Sequence, residues 1–291
     1  MLRLVLPKGS LEAPTLELFS DADLTVKRSS DVDYRANIDD PRVDEVRILR
    51  PQEIPQYVAD GMFDLGITGR DWVEETGSDV VTIGELAYSK NSSSPVRVVL
   101  CVAQDSQVER MSDLPQGSRV STEYPELTRR ALEKAGVRAE VRISYGATEA
   151  KVPEIADAVV EITETGRALR AAGLRIVETL LVSRTELVAN PEAAADPTRR
   201  HAMDQLYTLL VGALEARTKV LLKMNVPARS LEAVVEMLPA MKSPTVSELS
   251  GSGGFAIETV VEKSQVNILI PALKDRGASD IIELALSKIV H

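Results

Sequence analysis

The stretch Ala156-Asp157-Ala158-Val159-Val160-Glu161-Ile162-Thr163-Glu164-Thr165-Gly166-Arg167 is a short apolar run that breaks into acids, threonines and a glycine. The run predicts a buried strand and the break a turn that feeds a helix over residues 168–172, which makes an α/β unit. Backbone N–H groups around Thr163 to Gly166, with the threonine hydroxyls, can hold a phosphate where that helix opens its positive end. Glu161 and Glu164 beside such a cradle can accept hydrogen bonds from sugar hydroxyls. The chemistry indicated is that of a sugar phosphate. The same residues also suit an ordinary solvated N-cap, Thr163 or Thr165 with nearby acids, and the pattern alone leaves both open.

Working outward, strand and helix patterns alternate. Strands are expected at Leu2–Leu6, Glu45–Leu49, Leu65–Thr68, Val80–Ile83, Val96–Val102, Arg119–Thr122, Glu140–Ile143, Ala158–Glu161 and Arg175–Leu181, with helices between many of them. That order implies largely parallel sheets. Three further strand-to-helix turns stand out: Pro7-Lys8-Gly9-Ser10, Arg50-Pro51, and Gly66-Ile67-Thr68-Gly69-Arg70-Asp71. Ligands of open α/β sheets gather at such turns. The polar segment Lys90 to Pro95 reads as a crossing between two lobes.

After Asn190 the character changes. Pro191 to Thr198 reads as a loop, and residues 199–217 carry apolar groups at helical spacing, a connecting helix. The remaining chain reads as strand 220–225, helix 230–237, strands 245–249 and 255–261, helix 263–276 and strand 280–286. This is the βαββαβ, ferredoxin-like order, with Gly251 to Gly254 as the hairpin turn.

Composition narrows the function classes. The 291-residue chain is 44% hydrophobic and carries a formal net charge of −10, so it can bury a sizeable core. That charge argues against a nucleic-acid or acidic-membrane partner. The single cysteine, Cys101, lies in an apolar run; it reads as a small buried hydrophobe and fits a reducing, cytoplasmic setting. No signal peptide or membrane span is legible. There is no Walker-type loop and no dinucleotide-binding glycine fingerprint.

Taken together, Pro7-Lys8-Gly9, Arg50-Pro51, Asp64 to Asp71, Ser121-Thr122-Glu123-Tyr124-Pro125 and the block from Gly146-Ala147-Thr148-Glu149 to Leu169 resemble the ATP phosphoribosyltransferase family over essentially the whole chain. The βαββαβ segment resembles the regulatory domain of the long form. The resemblance implies a two-lobed, periplasmic-binding-protein-like catalytic unit, residues 1–92 and 182–217 forming the first lobe with its connecting helix and residues 93–181 the second. Residues 218–291 would form a ferredoxin-like (ACT-like) domain that senses histidine. It also implies transfer of the phosphoribosyl group of PRPP to N1 of ATP with Mg²⁺ present, and homo-oligomers from dimer to hexamer. The sequence departs from the commonest pattern at Glu161, Ala168 and Ala172, where the family often has aspartate, threonine and asparagine.

Carried onto this sequence, the resemblance places Glu161 and Glu164 at the reacting sugar and Thr163, Thr165, Gly166 and Arg167 around PRPP. It places Lys8, Gly9, Arg50, Gly69, Asp71 and Tyr124 at ATP. Tyr124 would stack on the base or pack under a loop, Trp72 reads as core, and Glu149 is either a substrate contact or a surface acid. His201 and His291 read as non-catalytic. Mg²⁺ is expected on substrate oxygens, without a protein cage. Asn225, Thr245 and Asp280 are the candidates for the regulatory amino acid, though ordinary turn polarity explains each equally. Two other classes stay open: a small-molecule binding module of the same fold, and a catalytically silent regulatory subunit.

Overall fold

The computed structural model describes residues 1–30, 33–88, 95–239, 243–251 and 253–291. Most of the Lys90–Pro95 segment and Ser252 of the hairpin turn lie outside the described residues. The first stretch of chain forms β1 (Leu2–Pro7), α1 (Glu12–Asp21), β2 (Val26–Lys27), β3 (Arg35–Ile38), β4 (Val43–Leu49), α2 (Ile54–Ala59), β5 (Leu65–Gly69), α3 (Arg70–Thr76) and β6 (Val81–Leu86). The next comprises β7 (Val96–Ala103), β8 (Arg119–Thr122), α4 (Pro125–Lys134), β9 (Glu140–Ile143), β10 (Ala158–Thr163), α5 (Arg167–Ala171) and β11 (Leu174–Ser183). The chain then runs through β12 (Thr185–Ala189), α6 (Pro191–Ala195) and α7 (Pro197–Ala216).

Two sheets result, one per lobe. The first has the order β2-β3-β4-β1-β5-β12-β6 and the second β11-β7-β10-β8-β9. The expectation of largely parallel sheets is corrected: among the described residues of these two sheets, only β1–β4, β1–β5, β8–β10 and β8–β9 pair in parallel. The chain leaves the first lobe after β6 and returns as β12, and it enters the second through β7 and leaves through β11. Those crossing strands run in opposite directions side by side, so β6–β12 and β7–β11 are antiparallel.

Strand β7 shows why its sequence is a continuous apolar run. Val98, Leu100 and Val102 face one buried cluster with Val120, Tyr124, Leu132 and Val160, while Val99 and Cys101 face another with Val159, Leu169 and Leu174. A strand covered on both faces has no polar side to show. Cys101 is a buried hydrophobe, its thiol pushed up to about 12 chiefly by burial.

Several elements differ from the sequence reading, and β2 and β3 fall in none of the stretches expected as strands. Strand β12 was not expected, yet all five of its residues are buried. The predicted loop 191–198 contains α6, capped where Ala193 N donates to Asn190 Oδ1 at 3.0 Å. The connecting helix starts at Pro197, a residue suited to a first turn.

The molecule divides into two compact units, residues 1–20 with 24–207 and residues 21–23 with 208–291. The second contains β13 (Lys219–Pro227), α8 (Leu231–Val235), β14 (Thr245–Glu248), β15 (Gly254–Glu262), α9 (Val266–Asp275) and β16 (Ser279–Ala285). Its sheet, β14-β15-β13-β16, is antiparallel throughout, the ferredoxin-like arrangement. Leu222, Met224, Val226, Val234, Ile257, Leu269 and Leu273 pack between the sheet and its helices.

Candidate active site

A cleft of about 330 Å³ opens between the two lobes of the first unit. One wall comes from turns that succeed parallel strands of the first lobe: Ser10 and Leu11 after β1, Pro51 and Gln52 after β4, and Gly69, Asp71 and Trp72 after β5. Glu123 and Tyr124 after β8, with Ile162, Thr163 and Glu164 at the end of β10, make the other. The crossings at Leu86–Tyr88 and Ser183–Thr185, with Val96, complete the lining. Sites of open α/β sheets form at such carboxyl ends because loops and helix starts converge there.

Asp71 is buried, and both carboxylate oxygens are engaged. Ser183 Oγ donates to Oδ1 at 2.5 Å and Tyr124 Oη to Oδ2 at 2.8 Å. Burial pushes this carboxyl above the usual carboxylate range, against the pull of those two hydroxyls. Gly69 precedes it because a Cβ there would stand 2.1 Å from Asp71 Oδ1. Tyr124 is 2% exposed, with its ring 4.6 Å from that of Trp72. Of the two readings of Tyr124, so enclosed a ring suits packing within the wall rather than stacking on a base. Burial and neighbouring Asp71 hold its hydroxyl well above the ordinary tyrosine value. Trp72 is half-buried and lines the cleft, rather than sitting wholly in the core.

In the sugar-phosphate turn, Gly166 takes φ +72°, a left-handed conformation that a glycine adopts without penalty. Its N–H donates to Thr163 Oγ1 at 2.8 Å, and Arg167 N–H donates to Thr165 Oγ1 at 3.4 Å. The N-cap of α5 is Gly166, which has no side chain to cap with, so neither threonine is the N-cap; their hydroxyls instead accept from amides of the turn. Helix α5 begins at Arg167, one residue earlier than expected. Thr163 and Glu164 line the cleft; Thr165 and Arg167 are exposed, and Gly166 is buried.

Glu161 does not line the cleft. It is half-buried, with Ile162 N–H donating to Oε1 at 2.8 Å and the Thr148 hydroxyl also donating. Ser144 stands 2.7 Å from Thr148, and Lys151 Nζ donates to Ser144 Oγ, so a hydroxyl relay joins the ammonium to the carboxylate. Burial raises the Glu161 pKa, with Glu123 and Glu149 adding to it and the two hydrogen bonds opposing.

Of the nucleotide set, Gly69, Asp71 and Tyr124 meet at the cleft, while Lys8, Gly9 and Arg50 are not among its lining residues. Lys8 Nζ lies 4.0 Å over the Tyr34 ring, and Gly9 N–H donates to Glu12 Oε2 at 3.4 Å. Sequence reasoning missed Gln52, whose Oε1 is buried without a partner, along with Glu75 and Ser183. Glu75 carried one legible signal, its position four residues after Asp71 on one helix face. In the second unit Asn225 Nδ2 donates to Asp280 Oδ2 at 2.9 Å. Thr245 is not beside them: it lies on β14, paired with Glu258 of β15, at the opposite edge of the sheet from β16.

Among the described residues no three acidic, histidine or cysteine side chains converge as a metal site, and no helix is long and apolar enough to cross a membrane. Family models for ATP phosphoribosyltransferase and for its C-terminal domain match residues 50–212 and 216–288. The chain is 50% identical to the ATP phosphoribosyltransferase of Desulforudis audaxviator and 47% identical to that of Pelotomaculum thermopropionicum, with 99% of each chain covered. It superimposes on a chain of the ATP phosphoribosyl transferase (HisG:HisZ) complex from Thermotoga maritima with a TM-score of 0.62 at 25% identity, over 72% of this chain and 97% of that one. With its two-lobed unit and appended ferredoxin-like domain, the chain belongs to the ATP phosphoribosyltransferase family.

Proposed function

We propose that the chain transfers the phosphoribosyl group of PRPP to N1 of ATP, releasing pyrophosphate, as the first step of histidine biosynthesis in the cytoplasm, and that histidine inhibits it through the second unit. The observation that carries the reading is the convergence, on one cleft, of a hydroxyl-and-amide turn on the second lobe with the Gly69–Trp72 and Pro51–Gln52 turns on the first. A phosphorylated sugar suits the former, and a base with a ribose suits the latter.

N1 of adenine already has a free lone pair, so no general base is needed. As the bond from C1 of the sugar to pyrophosphate breaks, positive charge grows on the ring and negative charge on the leaving group. Catalysis is then mainly positioning and electrostatics. The turn at Thr163 to Gly166 grips the 5-phosphate, and Glu164, on the cleft, faces the ribose hydroxyls and the developing cation, while Glu161 stands off the cleft and acts on the sugar only through its charge. Glu123 and Glu164 offer carboxylate oxygens at the cleft, which suits Mg²⁺, a cation that keeps substrate oxygens and waters as its other ligands. Bound there, it would neutralise the pyrophosphate as it departs. The same reading includes homo-oligomers, from dimers to hexamers.

Formation of the N1-phosphoribosyl adduct, tracked by its near-ultraviolet absorbance, tests the proposal. Product that depends on both ATP and PRPP is expected. Binding of either without turnover would leave a binding module or a silent regulatory subunit.

A further inference from the structure

Glu75 lies on α3, is 9% exposed, and spends its carboxylate on the other lobe. Glu126 N–H donates to Oε1 at 3.0 Å and Leu127 N–H to Oε2 at 2.8 Å. These amides belong to the first turn of α4, just after Pro125, where N–H groups have no partner in their own helix. The N-cap residue, Tyr124, supplies no side-chain cap. The first lobe therefore caps a helix of the second, and brings negative charge to its positive end. Three more contacts cross the same corner: Tyr124 Oη to Asp71, the Trp72–Tyr124 ring pair, and the Arg130 guanidinium donating to the Glu74 carbonyl. Trp72, Glu123 and Tyr124 stand on the cleft side of it.

We infer that Glu75 is a positioning residue that fastens the Glu123–Tyr124 rim to the first lobe, making the α3–α4 corner the fixed pivot of the cleft. Parting the lobes there strips two amides and a buried carboxylate of their partners together, each an unfavourable loss. Together with the chain crossings near Tyr88 and Arg184, these contacts hold the lobes together at this corner. The catalytic consequence rests on the reading of the cleft as the meeting place of PRPP and ATP: with one substrate on each wall, the pivot sets how N1 approaches C1.

Glu75→Gln and Glu75→Ala test this by steady-state kinetics on the folded fraction, thermal unfolding, and pulsed dipolar distances between spin labels on exposed sites of the two lobes. Glu75→Gln retains one acceptor; its kcat is expected to fall about tenfold, with the KM for PRPP within about twofold of wild type. Glu75→Ala is expected to lose more, and in both the inter-lobe distance distribution broadens. An unchanged kcat with an unchanged distance distribution, in a variant that is merely less stable, overturns the inference. Should Glu75→Ala fail to fold, Glu75→Gln carries the test. An inactive wild type would sink the catalytic reading alone, since the distances still report on the pivot.

Discussion

Glu161 carries two conflicting demands. Burial raises its pKa, while the Ile162 amide and the Thr148 hydroxyl favour its charge. Because the folded value lies above the unfolded one, the protonated carboxyl favours folding, and that contribution is lost as pH rises through the folded value. Glu161→Gln, which keeps the shape without the charge, is therefore expected to melt higher than wild type at about pH 8. The difference should shrink as pH falls into the ordinary carboxylate range and the wild-type carboxyl takes up its proton. If the charge serves the sugar cation, the same variant loses at least about tenfold in kcat. Melting curves across that range, set beside the kinetics, decide it: a variant that is no more stable at high pH removes the buried-charge argument, and one of normal kcat removes the catalytic one. The acids and threonines of residues 161–166 were legible because their chemistry is local. That Glu161 stands off the cleft and bonds Thr148 was not, since Thr148 arrives from a separate stretch of chain.

Helix α5 is five residues long, too short to persist on its own. It is held by buried Leu169, by the Thr163–Gly166 hydrogen bond and by Arg170 Nη2 donating to the Thr165 carbonyl at 3.1 Å. Its two threonines therefore separate in their effects. Thr165→Val, at an exposed hydroxyl, is expected to raise the KM for PRPP by about tenfold or more, the loss of a charge-assisted bond being roughly 1.5–3 kcal/mol, with little change in melting temperature. Thr163→Val removes a bond of the turn itself, and adds a stability loss of about 0.5–1.5 kcal/mol to the same kinetic defect. Equal melting losses in both would show that the hydroxyls do not divide in this way. At this scale the sequence was informative wherever an element has its own periodicity or cap. Strand β12 escaped because Thr185 and Glu186 make it look like a turn, although Glu186 is buried beside Thr82, whose hydroxyl donates to it at 3.0 Å.

Across the whole molecule, the order of elements announced both units, while side-chain pairs between distant segments stayed hidden. Glu75 with the amides of α4, and Asp71 with Ser183, join residues some 50 and 112 positions apart, and no local pattern records them. The histidine expectation divides similarly. Asn225 and Asp280 meet on neighbouring strands, whereas Thr245 lies at the far edge. Asp280 has φ +50°, a conformation asparagine also tolerates, so Asp280→Asn removes charge with little strain. It is expected to weaken histidine inhibition about tenfold, while Thr245→Val leaves it unchanged, as read by calorimetry and activity on the full-length protein. A wild type that shows neither binding heat nor inhibition at millimolar histidine would make this unit an assembly element only.

The place of β12 bears on how the protein is born. It fills the slot between β5 and β6, yet it is synthesised about a hundred residues after them, once the entire second lobe has been made. Until then β5 keeps an open edge and β6, whose partner among the described residues is β12, has no strand to pair with, the kind of surface on which other chains add. The second lobe, drawn from one continuous segment, has no such wait. Translation order and closure order are thus reversed, and the N-terminal lobe is the last of the two to finish, which makes the interval before Ala189 emerges the period in which a chaperone has most to shield.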